Sequence, residues 1–543
     1  MVRRQKSGAE MEKQYEGRRA VREWESNART EEQRGNGHNL IPLPFTDQIL
    51  QIAEKNGQVV FLVGGYVRDM MLGVASDEDA VYTSSLSHPS FLRGVGNDYD
   101  LVVSGDASTF SCELAAALGG RLVILDQETQ TSRIICHRSS SGKDSTGSRP
   151  SASGVVPHSI IEIDISPLKG ADIICDLQLR DITINAIAIK LCHGCCLKQI
   201  IDPLNGLDDL RQKRIQLIGR HSIIDDPLRL IRAVRFSAKL RFSITLESIA
   251  IIKELAHLIS TVSIERVVYE LLEIMDVEHA HPHITLLDNL GLLQEILPEI
   301  LLSKNVPQNE FHHLDVWNHM LQTLFCLENI CHRLQELFPR WHHHIQEYLQ
   351  EEISQTSRLS LLKLSSILHD IGKPSCASME NGRLRFLGHD IKGGDMAEVI
   401  GIRLKLSAKQ TEMLKNMVKH HMRPGYLVES SGGTERIEVS DRAVYRFFKA
   451  AKQEAVSTLL LSLADRYATM GPASSAEEIK KHYELVCYFL DKLYSHQPSA
   501  TPPKLINGCE LMDYLCLPPS PLIGKLLQAV EEGVAEGRIT DRM

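Results

Sequence analysis

The stretch VVFLVGGYVRDMMLG at 59–73, followed by DYDLVVSG at 98–105, decides the fold of this chain. Each apolar run predicts a buried strand, and the adjacent glycines Gly64 and Gly65 end the first strand in a turn that leads into a helix. Adjacent glycines also let backbone N–H groups approach a phosphate group closely. This pattern predicts an α/β domain. Further strands are predicted at RLVILD (121–126), TSRIICH (131–137) and IIEIDIS (160–166).

Four acidic side chains lie on the predicted strands. Asp98 and Asp100 are two residues apart, and so are Glu162 and Asp164, so the members of each pair project from one face of their strand. Two carboxylates on one face suit a pair of Mg²⁺ ions about 4 Å apart, which bind a triphosphate and lower the pKa of an attacking hydroxyl. We therefore predict that Asp98 and Asp100 hold catalytic Mg²⁺ and that Glu162 or Asp164 supplies a third carboxylate.

A second group of metal-binding residue types lies in the helical second half of the chain. His369 and Asp370 end the apolar helical run at 361–371, and further histidines and an aspartate stand on separate predicted helices. Such a set builds a site for one or two divalent ions inside a helical bundle, where a bound water becomes a nucleophile. The members of this set are His319, His369, Asp370, His389, His420, His421 and Asp465.

Length and composition limit the number of domains and indicate the cellular compartment. A chain of 543 residues predicts two to four domains, and its net charge of −9 means that a nucleic acid must be held by a local basic surface. The twelve cysteines are scattered, as in reduced cytoplasmic proteins. The N-terminus lacks the apolar run of a secretory signal, and no stretch approaches the ~18 apolar residues of a membrane span. We expect a cytoplasmic protein without a membrane partner, and the sequence does not set its oligomeric state.

Six motifs in order resemble those of the bacterial-type, or class II, tRNA CCA-adding enzymes and poly(A) polymerases. Any one of them is weak, but their shared order and rough spacing over residues 59 to about 275 are specific. The motifs are LVGGYVRDMMLG (62–73), DYDLVV (98–103), RDITINAIA (180–188), DPLNGLDDL (202–210), DDPLRLIRAVRF (225–236) and IERVVYELL (264–272).

The resemblance implies roles for individual residues. Asp98 and Asp100 match the ligands of the catalytic metals, and Asp226 and Arg229 match the pair that reads the incoming base. A carboxylate and a guanidinium three apart on one helix would share a face and offer the acceptors and donors of a Watson–Crick edge. The remaining positions implied to contact the nucleotide are Gly64, Gly65, Arg68, Arg180, Asp181, Asn185, Arg232 and Arg235.

The histidine set resembles the HD phosphohydrolase superfamily over residues 308–470. The resemblance implies that His319, His369, Asp370 and Asp465 are the core metal ligands, and that Lys373 contacts a phosphate. It also implies a second metal or a phosphate at His389, His420 and His421. A metal-free HD fold that serves as an RNA-binding bundle is the alternative. The matching segments are FHHLDVWNH (311–319), LHDIGKP (368–374), FLGHDIKGG (386–394), KHHMRP (419–424) and LADR (463–466).

Together these patterns predict a multidomain α+β protein, with an α/β nucleotidyltransferase head followed by an all-α neck and body and an all-α HD domain. The predicted segments are a charged, disordered tail at 1–40, the head at 41–203 with a flexible insert at 138–157, a helical neck and body at 204–300, the HD domain at 301–495 and a C-terminal helical segment at 496–543.

The resemblance implies an enzyme that adds CCA to the 3′ end of tRNA from CTP and ATP, with Mg²⁺ in the head and a divalent metal in the HD domain. Two alternatives use the same head, namely poly(A) synthesis and the addition of CC or A alone. A third hypothesis makes metal-dependent phosphohydrolysis by the HD domain the main activity.

Overall fold

The computed structural model describes residues 43, 45–76, 97–137, 160–193, 200–430, 439–469, 471–472, 475–495, 500 and 502–541. The tail predicted at 1–40 and the insert predicted at 138–157 lie outside the described residues. The chain forms two compact units, of which the first comprises Met1–Arg229 with Leu240–Ile252, and the second Leu230–Lys239 with Lys253–Met543. The finer domain boundaries proposed from the sequence stay a prediction.

A seven-stranded mixed sheet forms the core of the first unit and confirms the predicted α/β head. The strand order is β3-β4-β5-β2-β1-β6-β7, in which β2 and β5 run parallel and all other neighbours are antiparallel. The four residues of β1 are all buried, as the apolar run predicts. The strands are β1 Val60–Val63, β2 Asp98–Val103, β3 Arg121–Asp126, β4 Thr131–His137, β5 Ile160–Pro167, β6 Ala188–Lys190 and β7 Ile200–Ile201.

Among the helices before residue 256, α3 (Ala107–Leu118) has a capping signal at both ends. In α3, the Asp106 carboxylate caps the N-terminus by accepting the N–H groups of Ser108 and Thr109, and Gly119 ends the helix at φ 61°. A small parallel pair, β8 (Arg214–Ile215) and β9 (Ser243–Ile244), follows the sheet. The helices are α1 Thr46–Lys55, α2 Gly64–Ser76, α3 Ala107–Leu118, α4 Ile173–Gln178, α5 Gly206–Arg211, α6 Arg220–Asp225, α7 Arg229–Leu240 and α8 Leu246–Leu255.

Helices dominate the second unit, as the apolar periodicity after Asp202 predicts. One apolar core of this unit contains Leu327, Phe447, Leu459 and Phe489, all nearly inaccessible to solvent. Two short hairpins interrupt the helices, β10 (Glu352–Ile353) with β11 (Thr356–Ser357) and β12 (Ser378–Glu380) with β13 (Arg383–Arg385). Among the described residues, no helix is both long and apolar enough to cross a membrane. The helices are α9 Ile264–Asp276, α10 His281–Asn289, α11 Leu292–Ile296, α12 Val316–His332, α13 Leu334–Leu337, α14 His342–Gln350, α15 Arg358–Ser366, α16 Lys373–Cys376, α17 His389–Arg403, α18 Ala408–His420, α19 Arg423–Ser430, α20 Asp441–Ala451, α21 Ala455–Ala468, α22 Ala476–Tyr494, α23 Gly508–Leu515 and α24 Pro521–Ala535.

Candidate active site and metal centre

Four carboxylates share one face of the sheet in the first unit. In the parallel pair of β2 and β5, Asp98 lies opposite Glu162 and Asp100 lies opposite Asp164. Because side chains two residues apart on a strand point to the same side, this register brings both predicted pairs together. The strand pairing therefore builds the carboxylate cluster that the two separate sequence motifs predicted.

The two glycines that begin α2, directly after β1, lie against Asp100. Gly64 has φ +75°, and a Cβ atom there would stand 2.3 Å from Oδ2 of Asp100. The neighbouring N–H of Gly65 donates a hydrogen bond to the Asp100 carboxylate. Gly64 thus provides the room and the backbone conformation that the carboxylate needs. The predicted contact of the two glycines with a triphosphate stays a prediction.

Crowding and burial make this carboxylate cluster hard to ionise fully. Burial raises the pKa of Asp100 to about 6, and the negative charges of Asp98 and Asp164 add to the increase, while Arg180 opposes it. Burial and Asp164 also raise the pKa of Asp98. Oxygen donors that repel one another are stabilised by a hard divalent cation. The residues therefore fit a divalent metal, and Asp164 acts electrostatically on both members of the Asp98–Asp100 pair.

Arg133 on β4 is a site residue that the sequence reasoning missed. In the antiparallel pairing of β4 and β5 it lies opposite Asp164. Its guanidinium donates two hydrogen bonds to Asp164, at 2.7 and 2.8 Å, and a third to Glu162. Arg133 also lowers the pKa of Asp98, although less than burial and Asp164 raise it. Only the strand order reveals this contact, because nothing in TSRIICH indicates which strand is its neighbour.

The residues implied to contact the nucleotide form a connected network near Asp100. Arg68 donates through Nη1 to Oδ1 of Asn185 at 2.9 Å, and Asn185 donates in turn to Oδ1 of Asp181 at 3.3 Å. Arg229 donates to the backbone carbonyl of Arg180 at 3.0 Å. The structure thus brings together five of the predicted residues, and their contacts with a nucleotide stay predictions.

Hydrogen bonds made by the DPLNGLDDL motif (202–210) support this network. The Asp202 carboxylate accepts the N–H groups of Gly206 and Leu207 at 2.7 and 2.9 Å. A Cβ atom on Gly206 would stand 2.3 Å from the carbonyl oxygen of Thr183, so only glycine allows this approach. The Thr183 hydroxyl donates to Asp209 at 2.6 Å. The motif therefore fixes the short 3₁₀ turn that carries Asn185.

The expectation that Asp226 and Arg229 share one helical face is wrong. Helix α6 ends at Asp225, Asp226 is extended with φ −143° and ψ 92°, and α7 begins only at Arg229. Pro227 explains the break, because the residue before a proline avoids the helical conformation. The two side chains therefore belong to a helix–helix junction, and their role in reading the base stays a prediction.

Arg232 and Arg235 meet a buried partner in the second unit. Arg235 donates through Nε to Oε2 of Glu270 on α9 at 2.5 Å, and Arg232 lies 3.6 Å from the other oxygen. The Glu270 side chain is only 3% exposed. This geometry gives both arginines a structural partner that the sequence reasoning did not name. Their predicted contact with phosphates is a separate, open prediction.

The predicted HD ligands converge on Asp370 in the second unit. Oδ2 of Asp370 lies 3.1 Å from Nε2 of His369 and 3.5 Å from Nε2 of His319. Oδ1 lies 3.3 Å from Nε2 of His389 and 3.8 Å from Nε2 of His421. Asp465 on α21 closes the set. His369 and Asp370 lie in the turn after α15, which ends at Ser366, rather than within the helix.

Backbone hydrogen bonds orient three of the imidazoles toward this centre. The Nδ1 atoms of His369, His389 and His421 each contact the carbonyl three residues earlier, at 2.8, 2.8 and 2.6 Å. This contact fixes the tautomer and leaves Nε2 as the ligand atom. Those three Nε2 atoms and both oxygens of Asp370 are buried and have no hydrogen-bond partner within the described part of the chain. Unsatisfied donor atoms aimed at one point fit a divalent metal.

Two further predicted residues take different positions around the centre. Lys373 is buried; its Nζ lies 2.6 Å from Oδ2 of Asp370 as an ion pair and donates a hydrogen bond to Gln308 at 2.7 Å. Its predicted contact with a phosphate is untested. His420 ends α18, and burial together with Arg423 lowers its pKa to about 4. The clusters of metal-binding atoms found among the described residues contain His421 but not His420.

Three family models match successive segments of the chain. Residues 60–216 match a profile described as the poly(A) polymerase head domain, 241–302 a profile described as the RNA and SrmB-binding site of polymerase A, and 316–470 the HD domain. The chain is 29% identical to an A-adding tRNA nucleotidyltransferase of Deinococcus radiodurans, across 88% of this chain and 92% of that protein. It is 28% identical to a CC-adding tRNA nucleotidyltransferase of Thermus thermophilus, across 88% and 90%.

The fold agrees with these relatives. A Thermotoga maritima CCA-adding enzyme complexed with tRNA aligns with 93% of this chain and 94% of its own length, at a TM-score of 0.56 and 19% identity. The carboxylate-bearing sheet and the helical modules define the protein as a nucleotidyltransferase with an HD-type metal domain. More particularly, it combines a poly(A) polymerase head domain, an RNA-binding segment and an HD domain, and the relatives that it matches over most of their length are bacterial A-adding and CC-adding tRNA nucleotidyltransferases.

Proposed function

We propose that this chain completes the CCA end of tRNA, using CTP and ATP with Mg²⁺ as the metal of the head. The observation that carries the proposal is the four-carboxylate face of the sheet beside the glycine turn. Relatives that align over most of their length add C or A to tRNA, as their names state. Those names differ in the nucleotide added, so the extent of addition is the main point to test.

The geometry supports a proposed task for each part of the head. Asp98, Asp100 and Asp164 would hold Mg²⁺, which when bound lowers the pKa of the tRNA 3′ hydroxyl and neutralises the triphosphate. That hydroxyl would attack the α-phosphate in line and release pyrophosphate. Arg180 acts electrostatically on Asp100 and Arg68 donates to Asn185, and both arginines would bind the phosphates of the nucleotide.

The HD domain supports a second proposed activity, a metal-dependent phosphohydrolase. The convergent Nε2 atoms around Asp370 would hold one or two divalent ions. Asp370 and Asp465 raise the pKa of His369 to about 10 although burial opposes protonation. A cation is therefore favoured at this point of the domain, and a divalent metal would take the place of that proton.

The defining experiment supplies tRNA transcripts that end before CCA, after C and after CC, with labelled CTP and ATP separately and together. Addition of CCA followed by termination is the expected result. Addition of CC alone or A alone would replace the proposal with a partial enzyme that works beside a second one. Long adenylate tails would indicate a poly(A) polymerase, and no incorporation would leave the HD domain as the main activity.

Two substitutions separate the activities of the head and the HD domain. Asp98→Ala removes a proposed Mg²⁺ ligand, so nucleotide incorporation should disappear while phosphohydrolysis remains. His369→Ala removes an HD ligand and should have the reverse effect. Incorporation that survives Asp98→Ala would show that the metal assignment in the head is wrong.

A further inference from the structure

A second group of metal-binding side chains lies on the surface, apart from the HD ligands. Glu278 and His279 belong to the loop between α9 and α10, and His332 is the last residue of α12. One ligand atom from each of the three lies within 4.8 Å of the others. Nδ1 of His332 stands 3.4 Å from Oε1 of Glu278, and the rings of His279 and His332 have centroids 4.7 Å apart.

These distances suit a tetrahedral zinc-type ion. Zinc–ligand bonds of about 2.0–2.1 Å at tetrahedral angles separate neighbouring donor atoms by about 3.4 Å. The contact between His332 and Glu278 has this length already, at 3.4 Å. Two imidazoles and one carboxylate are also a ligand set that zinc accepts, with a fourth position left for water.

Buried polar groups hold the loop that carries two of the three ligands. Lys363 donates to the carbonyl of Val277 at 2.6 Å, just before Glu278. The Glu328 carboxylate accepts the N–H of Ala280 at 2.6 Å, just after His279. Lys363 and Glu328 pair at 2.9 Å and are 1% and 3% exposed, so this clamp is rigid.

The clamp also fixes the loop relative to the third ligand. Glu328 lies on α12, one helical turn before His332. The helix that presents His332 is therefore the same helix that binds the loop backbone. Little conformational entropy remains to be lost when an ion joins the three side chains, which favours binding.

We propose that Glu278, His279 and His332 form a surface site for a divalent transition-metal ion of the zinc type. The ion would join the loop after α9 to the C-terminal end of α12. The loop lies in the segment that matches the RNA-binding profile, and α12 lies in the segment that matches the HD domain. The bound ion therefore cross-links two sequence modules inside the second unit and stabilises their junction.

The test counts zinc ions bound by the full chain in equilibrium dialysis with micromolar zinc chloride. His332→Ala and Glu278→Gln should each bind one zinc ion fewer than the wild type, because the head and HD sites remain in both variants. His343→Ala removes an exposed histidine on α14 beside His342 and is the matched control, with unchanged stoichiometry. Melting curves without zinc should be the same for all four proteins, which establishes that each is folded.

Zinc-dependent melting and diffraction supply the second readout. At tenfold excess over its Kd, zinc at this site should raise the Tm of the wild type by about 2 °C more than that of His332→Ala. Crystals soaked in zinc chloride should show anomalous density at the zinc edge between His279 and His332. Equal zinc stoichiometry in the wild type and both variants, or no density there, would reduce the cluster to an ordinary surface ion pair and overturn the proposal.

Discussion

Substitution of Gly64 by alanine tests the contact between the glycine turn and Asp100. The new Cβ atom would stand 2.3 Å from Oδ2 of Asp100, whereas an ordinary contact needs at least 3.4 Å, so the carboxylate must move by about 1 Å. Such a movement also breaks its hydrogen bond to the N–H of Gly65. A misplacement of about 1 Å in a catalytic group costs about 100-fold in rate. The left-handed conformation at φ +75° should cost a further 1–2 kcal/mol of stability, approximately.

The assay is kcat/KM for incorporation of CMP into a tRNA transcript that lacks CCA, with thermal melting to verify folding. Gly119→Ala is the matched control, because Gly119 also has a left-handed φ of +61° but nothing lies within 4 Å of its Cβ position. The control should lose about 1 kcal/mol of stability and keep its activity. The reasoning is refuted if folded Gly64→Ala retains more than about a third of the wild-type kcat/KM, since the expected loss is about 100-fold.

Three further predictions concern charge. Because burial raises the pKa of Asp100 to about 6, the rate of incorporation at limiting Mg²⁺ should decrease when the pH is below about 6. The metal binds the ionised carboxylate, so this acid limb of the pH profile should move to lower pH as the Mg²⁺ concentration rises. An acid limb that does not respond to Mg²⁺ contradicts the assignment. Arg133→Met removes the guanidinium that lowers the pKa of Asp98, so the same pH profile should shift to higher pH, and an unshifted profile would argue against this role. Glu270→Ala leaves two arginines without their buried partner and should lower the free energy of unfolding by about 2–4 kcal/mol in urea titration. Glu273 lies on the same helix as Glu270 and makes a more exposed pair with Lys239, so Glu273→Ala should lower the free energy of unfolding by less than about 1 kcal/mol. Equal losses of stability in the two variants would refute this difference.

Local periodicity sufficed to predict the elements that carry the carboxylates proposed to be catalytic. The apolar run 60–63 is a strand, Gly64 begins the turn, and Asp98 and Asp100 share a face, as the two-residue period requires. The His-Asp pair likewise predicted a metal centre inside a helical bundle. These features depend on residues close in sequence, where propensity and spacing act directly.

Contacts between distant strands and helices could not be predicted in the same way. Arg133 meets Asp164 only because β4 pairs with β5, and Arg235 meets Glu270 only because α7 packs against α9. In the sequence, each of these four side chains is an ordinary polar residue in an amphipathic segment, and nothing marks its partner. The break before Arg229 was predictable in principle from Pro227, but the helical spacing of the flanking residues concealed it.

The two metal centres share one electrostatic principle. In the head, Arg133 pairs with Asp164, and in the HD domain Nζ of Lys373 lies 2.6 Å from Oδ2 of Asp370. A buried carboxylate without a counter-charge costs several kcal/mol, so the chain itself supplies a cation at each centre. Each centre therefore carries part of its counter-charge before any metal binds, unlike a small zinc domain that folds only with its ion.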